Sequence, residues 1–400
     1  MVARMHAKSS IAAVPRNGSL LALAVCCGLG VANVYYLQPS LSQVQSEFGV
    51  SASQVGLVPT LTQVGYALGM LLLAPLGDVL ERRRLIVIKA ILMIVALLAA
   101  SIAPTLGMLA AAGAIIGILG SIGQDFIPLA AHFSSDSQRG KAVGTVTTGL
   151  LTGILLSRAL GGWVSECLSW RAMQEIAAAT MVLVTLVTWT LPPIPPTTKA
   201  RYSALLGSLW TLWKAHRPLR LVIVTQSVLA ATLGAFWSSL SVVLAAAPFH
   251  QGSAVAGAFG FAGAAGALAA PLFGGLADRS GPLHAVRIGC CLVVVAFGAL
   301  LLFPPSLWAL GVSALIFDLG VMAALVSHQH LINGLDSSAR SRLNGMLMTG
   351  AMCGMAIGAA IGSVALQTHG RDGLWAVGVI AGAVALITSF FHSFKGRRNV

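Results

Sequence analysis

Apolar runs of about 18 to 25 residues, long enough to cross a hydrocarbon layer of about 30 Å as helices, alternate with short polar clusters along the whole chain. Twelve spans are expected, near residues 19–41, 54–76, 85–103, 108–131, 142–164, 173–191, 219–245, 253–274, 284–303, 307–330, 343–366 and 373–393. The pattern predicts an all-α membrane protein of twelve transmembrane helices.

The polar clusters repeat. The stretch GGLADRSGP, from Gly274 to Pro282, follows a long apolar run and places Asp278 and Arg279 in a tight turn. In the first half APLGDVLERRR, from Ala74 to Arg84, occupies the same place, with Asp78 lying 200 positions before Asp278. Downstream, the segment from Arg139 to Gly153 aligns with that from Arg340 to Gly354 at a constant shift of 201, pairing Gly144 with Gly345 and Gly149 with Gly350. Two homologous halves of six helices each are implied, the kind of internal repeat that membrane transporters use. The expected organisation is a tail 1–18, a first half 19–191, a linker 192–218, a second half 219–393 and a tail 394–400.

Composition agrees: 57% of residues are hydrophobic and 9% charged, with a mean hydropathy of +0.88, which no soluble core needs. The net charge of +13 raises the question of a nucleic-acid partner, and its distribution answers it. With a cytoplasmic N-terminus, alternate loops and the C-terminal tail receive 18 Lys and Arg, Arg82, Arg83, Arg84 and Lys89 among them, against only Arg171 and Arg371 on the other side. The excess of basic residues inside fixes both termini in the cytoplasm, and nucleic acid is not needed. The partners expected are the lipid bilayer and a small molecule. Cys26, Cys27, Cys290, Cys291 and Cys353 fall inside spans and Cys167 stands alone in an outer loop, so neither a disulfide framework nor a metal spacing emerges, and no cofactor is expected. The basic N-terminus reads as the flank of a retained first helix, since no small-residue cleavage pattern follows it.

Between the halves, Pro192, Pro193, Pro195 and Pro196 end the sixth span, and Arg201 to Arg217 carries apolar residues at helical spacing. This pattern suits a helix lying on the inner leaflet. Small residues every four positions mark the second span (Gly65, Gly69), the fifth (Gly149, Gly153, Ser157, Gly161) and the eleventh (Gly350, Gly354, Gly358, Gly362). They let helices approach closely, and the stripes in the fifth and eleventh spans are where the halves are expected to slide.

Over nearly its whole length the chain resembles the major facilitator superfamily, in particular the bacterial twelve-helix drug and sugar efflux branch, of arabinose-efflux type. The resemblance is carried by the loop signature Gly-x-x-x-Asp-Arg-x-Gly at Gly274, Asp278, Arg279 and Gly281, and by its weaker first copy at Asp78, Arg82 and Arg83. Gly144, Gly153, Gly161 and Gly162 add the glycine pattern of antiporters in the fifth span. It implies an inner-membrane transporter working as a monomer by alternating access. It also implies that these loop residues form a cytoplasmic gate, each aspartate accepting N–H groups at the start of a facing helix. Val79 and Glu81 replace the arginine and second glycine in the first copy, and Ser157-Arg158 replaces the usual Gly-Pro of the fifth span.

Three charges lie inside spans, where an ionisable group costs about 2.5–3.5 kcal/mol on insertion scales and marks a cavity or a partner. Asp318, near the midplane of the tenth span, reads as a proton carrier, with a buried structural carboxylate as the other reading. Asp125, nearer the cytoplasmic end of the fourth, could carry a proton or serve the gate. Arg158 either binds an anionic or polar cargo or snorkels outward. At 1.5 Å per residue, Asp125 and Arg158 differ in depth by roughly 15 Å, too far for a direct pair. Asn33, Tyr36, Gln38, Gln63, Trp237 and Gln329 are expected to join the cavity, with His328 and His330 solvated near the inner surface. The fourth span has Ala110, Ala111 and Ala112 where proton antiporters of this family often carry an arginine. No Walker sequence, H-E-x-x-H or G-x-S-x-G occurs, so an enzyme is not expected. The function expected is proton-coupled efflux of small organic molecules such as drug-like compounds, sugars or metabolites. An importer or uniporter, and a non-transporting sensor, are the alternatives.

Overall fold

The computed structural model describes residues 17–135, 137–198, 200–263, 281–336 and 339–391, and every regular element among them is a helix. The first half contains α1 (Asn17–Ala32), then α2 (Ala52–Val79), α3 (Arg82–Ser101), α4 (Leu106–His132), α5 (Arg139–Cys167) and α6 (Trp170–Trp189). The second contains α7 (Arg217–Ala245), α8 (Ser253–Gly263 as described), α9 (Pro282–Leu302), α10 (Leu307–Asn333) and one long helix, Arg340–Phe390. Gly370 breaks that helix at φ 64° and ψ −161°, and its arms before and after the glycine are α11 and α12. The expected spans overlap these helices, the first only as far as Ala32 and the eighth only as far as Gly263. With Arg340–Phe390 counted as one, nine of the described helices are long and apolar enough to cross a membrane. Large apolar side chains such as Leu92, Val95, Trp163, Trp189 and Trp308 are exposed on the outer surface, where lipid would cover them.

The first helix stops earlier than its apolar run. Asn33 turns its side-chain N–H groups back to Leu29 O and Gly30 O at 2.9 and 3.2 Å, and residues 33–37 form turns before a single 3-10 turn at Gln38–Ser40. Irregular backbone at this depth is tolerated only where protein or water satisfies it. Helix α2 widens over Gly69–Leu73, where Ala74 N bonds to Gly69 O. Pro75 accounts for this, because its ring lacks an N–H and crowds the carbonyl one turn back.

The glycine stripes pack within each half and not between them. A Cβ at Gly149 or Gly153 would strike the α1 backbone at Ala24 or Gly28, and one at Gly354 or Gly358 would strike α7 at Ser227 or Ala231. Gly65 and Gly69 meet α4 at Ala114 and Ile118. The expected sliding surface is therefore corrected: of the α5 glycines, Gly162 is the one that faces the other half, against Ser253 and Gly257 of α8, while Gly56 of α2 meets Ser363 of α11. A small-residue stripe specifies close approach but not to which neighbour. Met352 and Met355, together with Met348, reach across from α11 to pack on the core of the first half.

Among the described residues, the hydrogen bonds between the halves gather at one end. Ser42 N and Oγ bond to Ser241 Oγ at 2.8 and 3.0 Å, Ala52 N to Gln367 Oε1 at 2.9 Å, and Ser253 N to Glu166 Oε2 at 2.6 Å. This is the end away from the arginine-rich loops. At the arginine-rich end a Cβ at Gly140, Gly144 or Gly345 would meet nothing within 4 Å. Between the halves, a helix runs over Tyr202–Ala215; its Tyr202 hydroxyl donates to Leu72 O of α2 at 2.7 Å, and Leu212 packs into a cluster with Leu219, Ile223 and Leu347 of the second half.

Candidate functional site

Arg158 and Asp318 lie at comparable depth, about 14 and about 17 Å along their helices from the ends opposite the arginine-rich loops. They are 7% and 6% exposed, so Arg158 does not snorkel outward. Its Nε donates to Gln38 Oε1 at 3.2 Å, and its guanidinium stands over the rings of Trp237 at 4.2 Å and Tyr35 at 5.1 Å. Such stacking stabilises a cation that cannot shed its charge. Trp237 Nε1 donates to Asp318 Oδ1 at 3.4 Å. A Cβ built on Gly263 would lie 2.6 Å from Asp318 Oδ2 and 3.8 Å from Arg158 Nη1, so the carboxylate and guanidinium face each other across the space this glycine leaves.

Five helices or their extensions thus meet: α5, α7, α8, α10 and the unwound end of α1. The resulting cluster is Gln38, Arg158, Trp237 and Asp318, with Tyr35 added. Tyr35 was missed in the sequence although it adjoins Tyr36; only its proximity to the unwound turn could have indicated it. A small cavity beside the cluster is lined by Gln38, Arg158, Trp237, Leu240, Ser241 and Ala256. The site offers an acceptor and several fixed donors about a Trp face, a set that can hold a small polar molecule by both of its hydrogen-bonding roles.

Other expected site residues lie elsewhere. Asp125 is bound to Lys89 at 2.7 Å, both almost fully buried, and Lys89 Nζ also donates to Ser121 Oγ at 3.2 Å. Lys89 was expected with the loop charges and is instead seven residues into α3; its place inside an apolar run was the available signal. Asn33 faces α6, with Met181 Sδ 3.3 Å from its amide nitrogen. Tyr36 is buried with its carbonyl against Gly161. Gln63 is buried in α2 with both polar side-chain atoms unpartnered among the described residues. Gln329 is half-buried on α10, eleven residues or about three turns beyond Asp318. His328, expected to be solvated, is fully buried and bonded to Gln226 Oε1 at 2.8 Å, whereas His330 is exposed.

Of the loop signature, Gly274, Asp278 and Arg279 lie outside the described residues. Gly281 precedes α9 at φ 87°, a conformation that calls for glycine. In the first copy, Asp78 accepts from Arg82 Nη2 at 2.7 Å, and its carbonyl accepts from Thr197 and Thr198 N at 3.0 and 3.1 Å. The described partners of Asp78 are therefore its own loop and the start of the linker, not the beginning of a facing helix as expected. Arg82 also grips Gly77 O, and Arg83 Nη1 donates to Leu191 O at 2.9 Å. Glu81, which stands where the signature has glycine, caps α3 by accepting from Arg83 N, Arg84 N and Ile194 N. Burial works to raise the Glu81 carboxyl, but these backbone donors and the Arg83 charge prevail and hold it below its ordinary range.

The sequence profile of the Major Facilitator Superfamily matches residues 20–334. The chain belongs to this superfamily. It is 35% identical over 378 residues to the uncharacterized transporter YgaY of Escherichia coli O157:H7, covering 94% of this chain and 95% of that one. It is 25% identical over 360 residues to a probable sugar efflux transporter of Helicobacter acinonychis, covering 88% and 89%. Among solved structures, the nucleoside transporter NupG shares the fold at a TM-score of 0.75 with 16% identity, over 94% of this chain and 98% of that one. As a major facilitator protein, the chain is a multi-pass transporter of the bacterial inner membrane with a small-molecule substrate, not an enzyme.

Proposed function

We propose that the protein exports a small, polar, net-neutral organic molecule in exchange for protons. Two halves, 19–191 and 219–393, would rock about the cluster of Arg158 and Asp318, with the linker 192–218 and both termini in the cytoplasm. The observation that carries this reading is the buried carboxylate and guanidinium facing each other across Gly263, one from each half. Arg158 holds an acceptor group of the cargo, such as a hydroxyl or carboxylate oxygen. Asp318 takes a donor group, a hydroxyl or ammonium. A proton on Asp318 removes its charge and turns one oxygen into a donor, which weakens its hold on the cargo's donor group, so cargo and proton compete for one carboxylate, the requirement of exchange.

A cargo with net charge would leave either Arg158 or Asp318 uncompensated in a low-dielectric site, which favours neutral solutes over lipophilic cations. The resemblance to a sugar efflux transporter supports both the outward direction and a polyol-like cargo. Asp78, Arg82 and Arg83, with Gly274, Asp278, Arg279 and Gly281, are assigned to the cytoplasmic gate on the resemblance of their motif. Asp125 is assigned to holding α3 against α4 through Lys89, and the protein is taken to work as a monomer.

The test is proton release from purified protein in weak buffer on adding sugars, amino acids or amphiphilic cations. The expected result is release with a neutral polar class, abolished in Asp318→Asn. Cargo affinity should fall about 10-fold or more in Arg158→Gln, the cost of losing a charged hydrogen bond. Cargo binding by the parent without any proton signal would refute exchange and favour a uniporter.

A further inference from the structure

We infer that Glu166 and Gln367 are the latches of the gate at the end opposite the arginine-rich loops, two equivalent helix caps of unlike charge supplied across the interface between the halves. The repeat itself makes the case. At the shift of 201 that relates the halves, Glu166 corresponds to Gln367 and Ala52 to Ser253. The structure joins these four residues in two matching bonds: Ser253 N donates to Glu166 Oε2 at 2.6 Å, and Ala52 N donates to Gln367 Oε1 at 2.9 Å. Each half therefore takes the first backbone N–H of a helix in the other half with a side chain from the far end of its own α5 or α11.

The first N–H groups of a helix have no partner inside it. For α2, Ser51 and Gln54 satisfy part of this need through a local capping box, and Gln367 adds to it. For α8 the cap position is Gly252, which has no side chain to offer. Glu166 fills that role from the opposite half, reaching Ala254 N as well at 3.4 Å, and a Cβ at Gly252 would collide with its carboxylate. The helices behind these caps also correspond: Gly162 of α5 lies on Gly257 of α8, and Ser363 of α11 on Gly56 of α2, each residue again related to its counterpart by 201. Separating the halves at this end breaks both caps at once and exposes the orphaned N–H groups.

The two latches differ in strength. A carboxylate bound to a helix N-terminus is favoured by the helix dipole and by its charge, whereas a neutral amide makes an ordinary hydrogen bond. Glu166 thus holds the α5–α8 side more firmly than Gln367 holds the α2–α11 side. This inference is independent of the cargo and of any role for Asp318.

It is tested by measuring the distance between spin labels at Leu168→Cys and Phe303→Cys, two exposed positions at this end, one in each half. The six native cysteines are first replaced, and the protein is held in lipid nanodiscs without cargo. Glu166→Gln, which makes the two latches alike, is expected to raise the long-distance population at least about 3-fold. Gln367→Glu is expected to lower it by a similar factor. The exchange Glu166→Gln with Gln367→Glu, which moves the charge to the equivalent place, should restore the parent distribution and also guards against loss from misfolding. Distance distributions that are unchanged in both single variants, or that shift in the same direction, would overturn the inference.

Discussion

Lys89 and Asp125 each stand seven residues from the arginine-rich end of their helices, on α3 and α4, and their 2.7 Å bond neutralises two charges within the bundle. Removing one partner strands the other. Lys89→Met is expected to destabilise the protein by about 3–5 kcal/mol, while Lys89→Met with Asp125→Leu should recover most of the loss, as thermal unfolding in detergent will register. A double variant no more stable than Lys89→Met would refute the pairing as the cause. This pair was legible in principle, since both residues interrupt apolar runs at equal depth. The same holds for Arg158 and Asp318, whose depths differ by only about 3 Å. What a sequence does not give is the azimuth of a side chain about its helix, which for Arg158 decides between cargo and lipid; its stacking on Trp237 turns it inward.

At the scale of the helix, glycine does two different things here. Gly354 is pressed against the carbonyl of Ser227 on α7, whereas Gly144 has nothing within 4 Å of its potential Cβ. Gly354→Ala should cost about 1–3 kcal/mol because backbone must move to admit the methyl group. Gly144→Ala should be neutral or stabilise by up to about 1 kcal/mol, through the higher helix propensity of alanine. Comparing their melting temperatures separates the two roles, and equal losses would contradict the packing described. Gly354 belongs to the small-residue stripe of the eleventh span, and Gly144 to the antiporter glycine pattern of the fifth. The stripe was visible in sequence, but the helix it meets depends on rotation and tilt, which only the assembled bundle fixes. Likewise the early end of α1 was hidden inside a continuous apolar run. There the Asn33 side chain folds back on the carbonyls of Leu29 and Gly30 and competes with the backbone for them.

For the molecule as a whole, the fold was the most legible feature, because bilayer thickness sets the length of the runs and the shift of 201 sets the repeat. The two bonds that join the halves at one end follow that repeat as well, Glu166 answering Gln367. The buried bond between Lys89 and Asp125 reaches further, to how the chain is made. A span that carries an unpaired lysine or aspartate near its middle meets an insertion cost of about 2.5–3.5 kcal/mol. Helix α3 emerges from the ribosome first and has no counter-charge until α4 follows. The two are thus expected to enter the bilayer together as a hairpin: chains truncated after Ser101 should integrate poorly in microsomes, and those extended through His132 should integrate well. A bond that holds two helices side by side in the finished transporter then also sets the step at which the growing chain commits to the membrane.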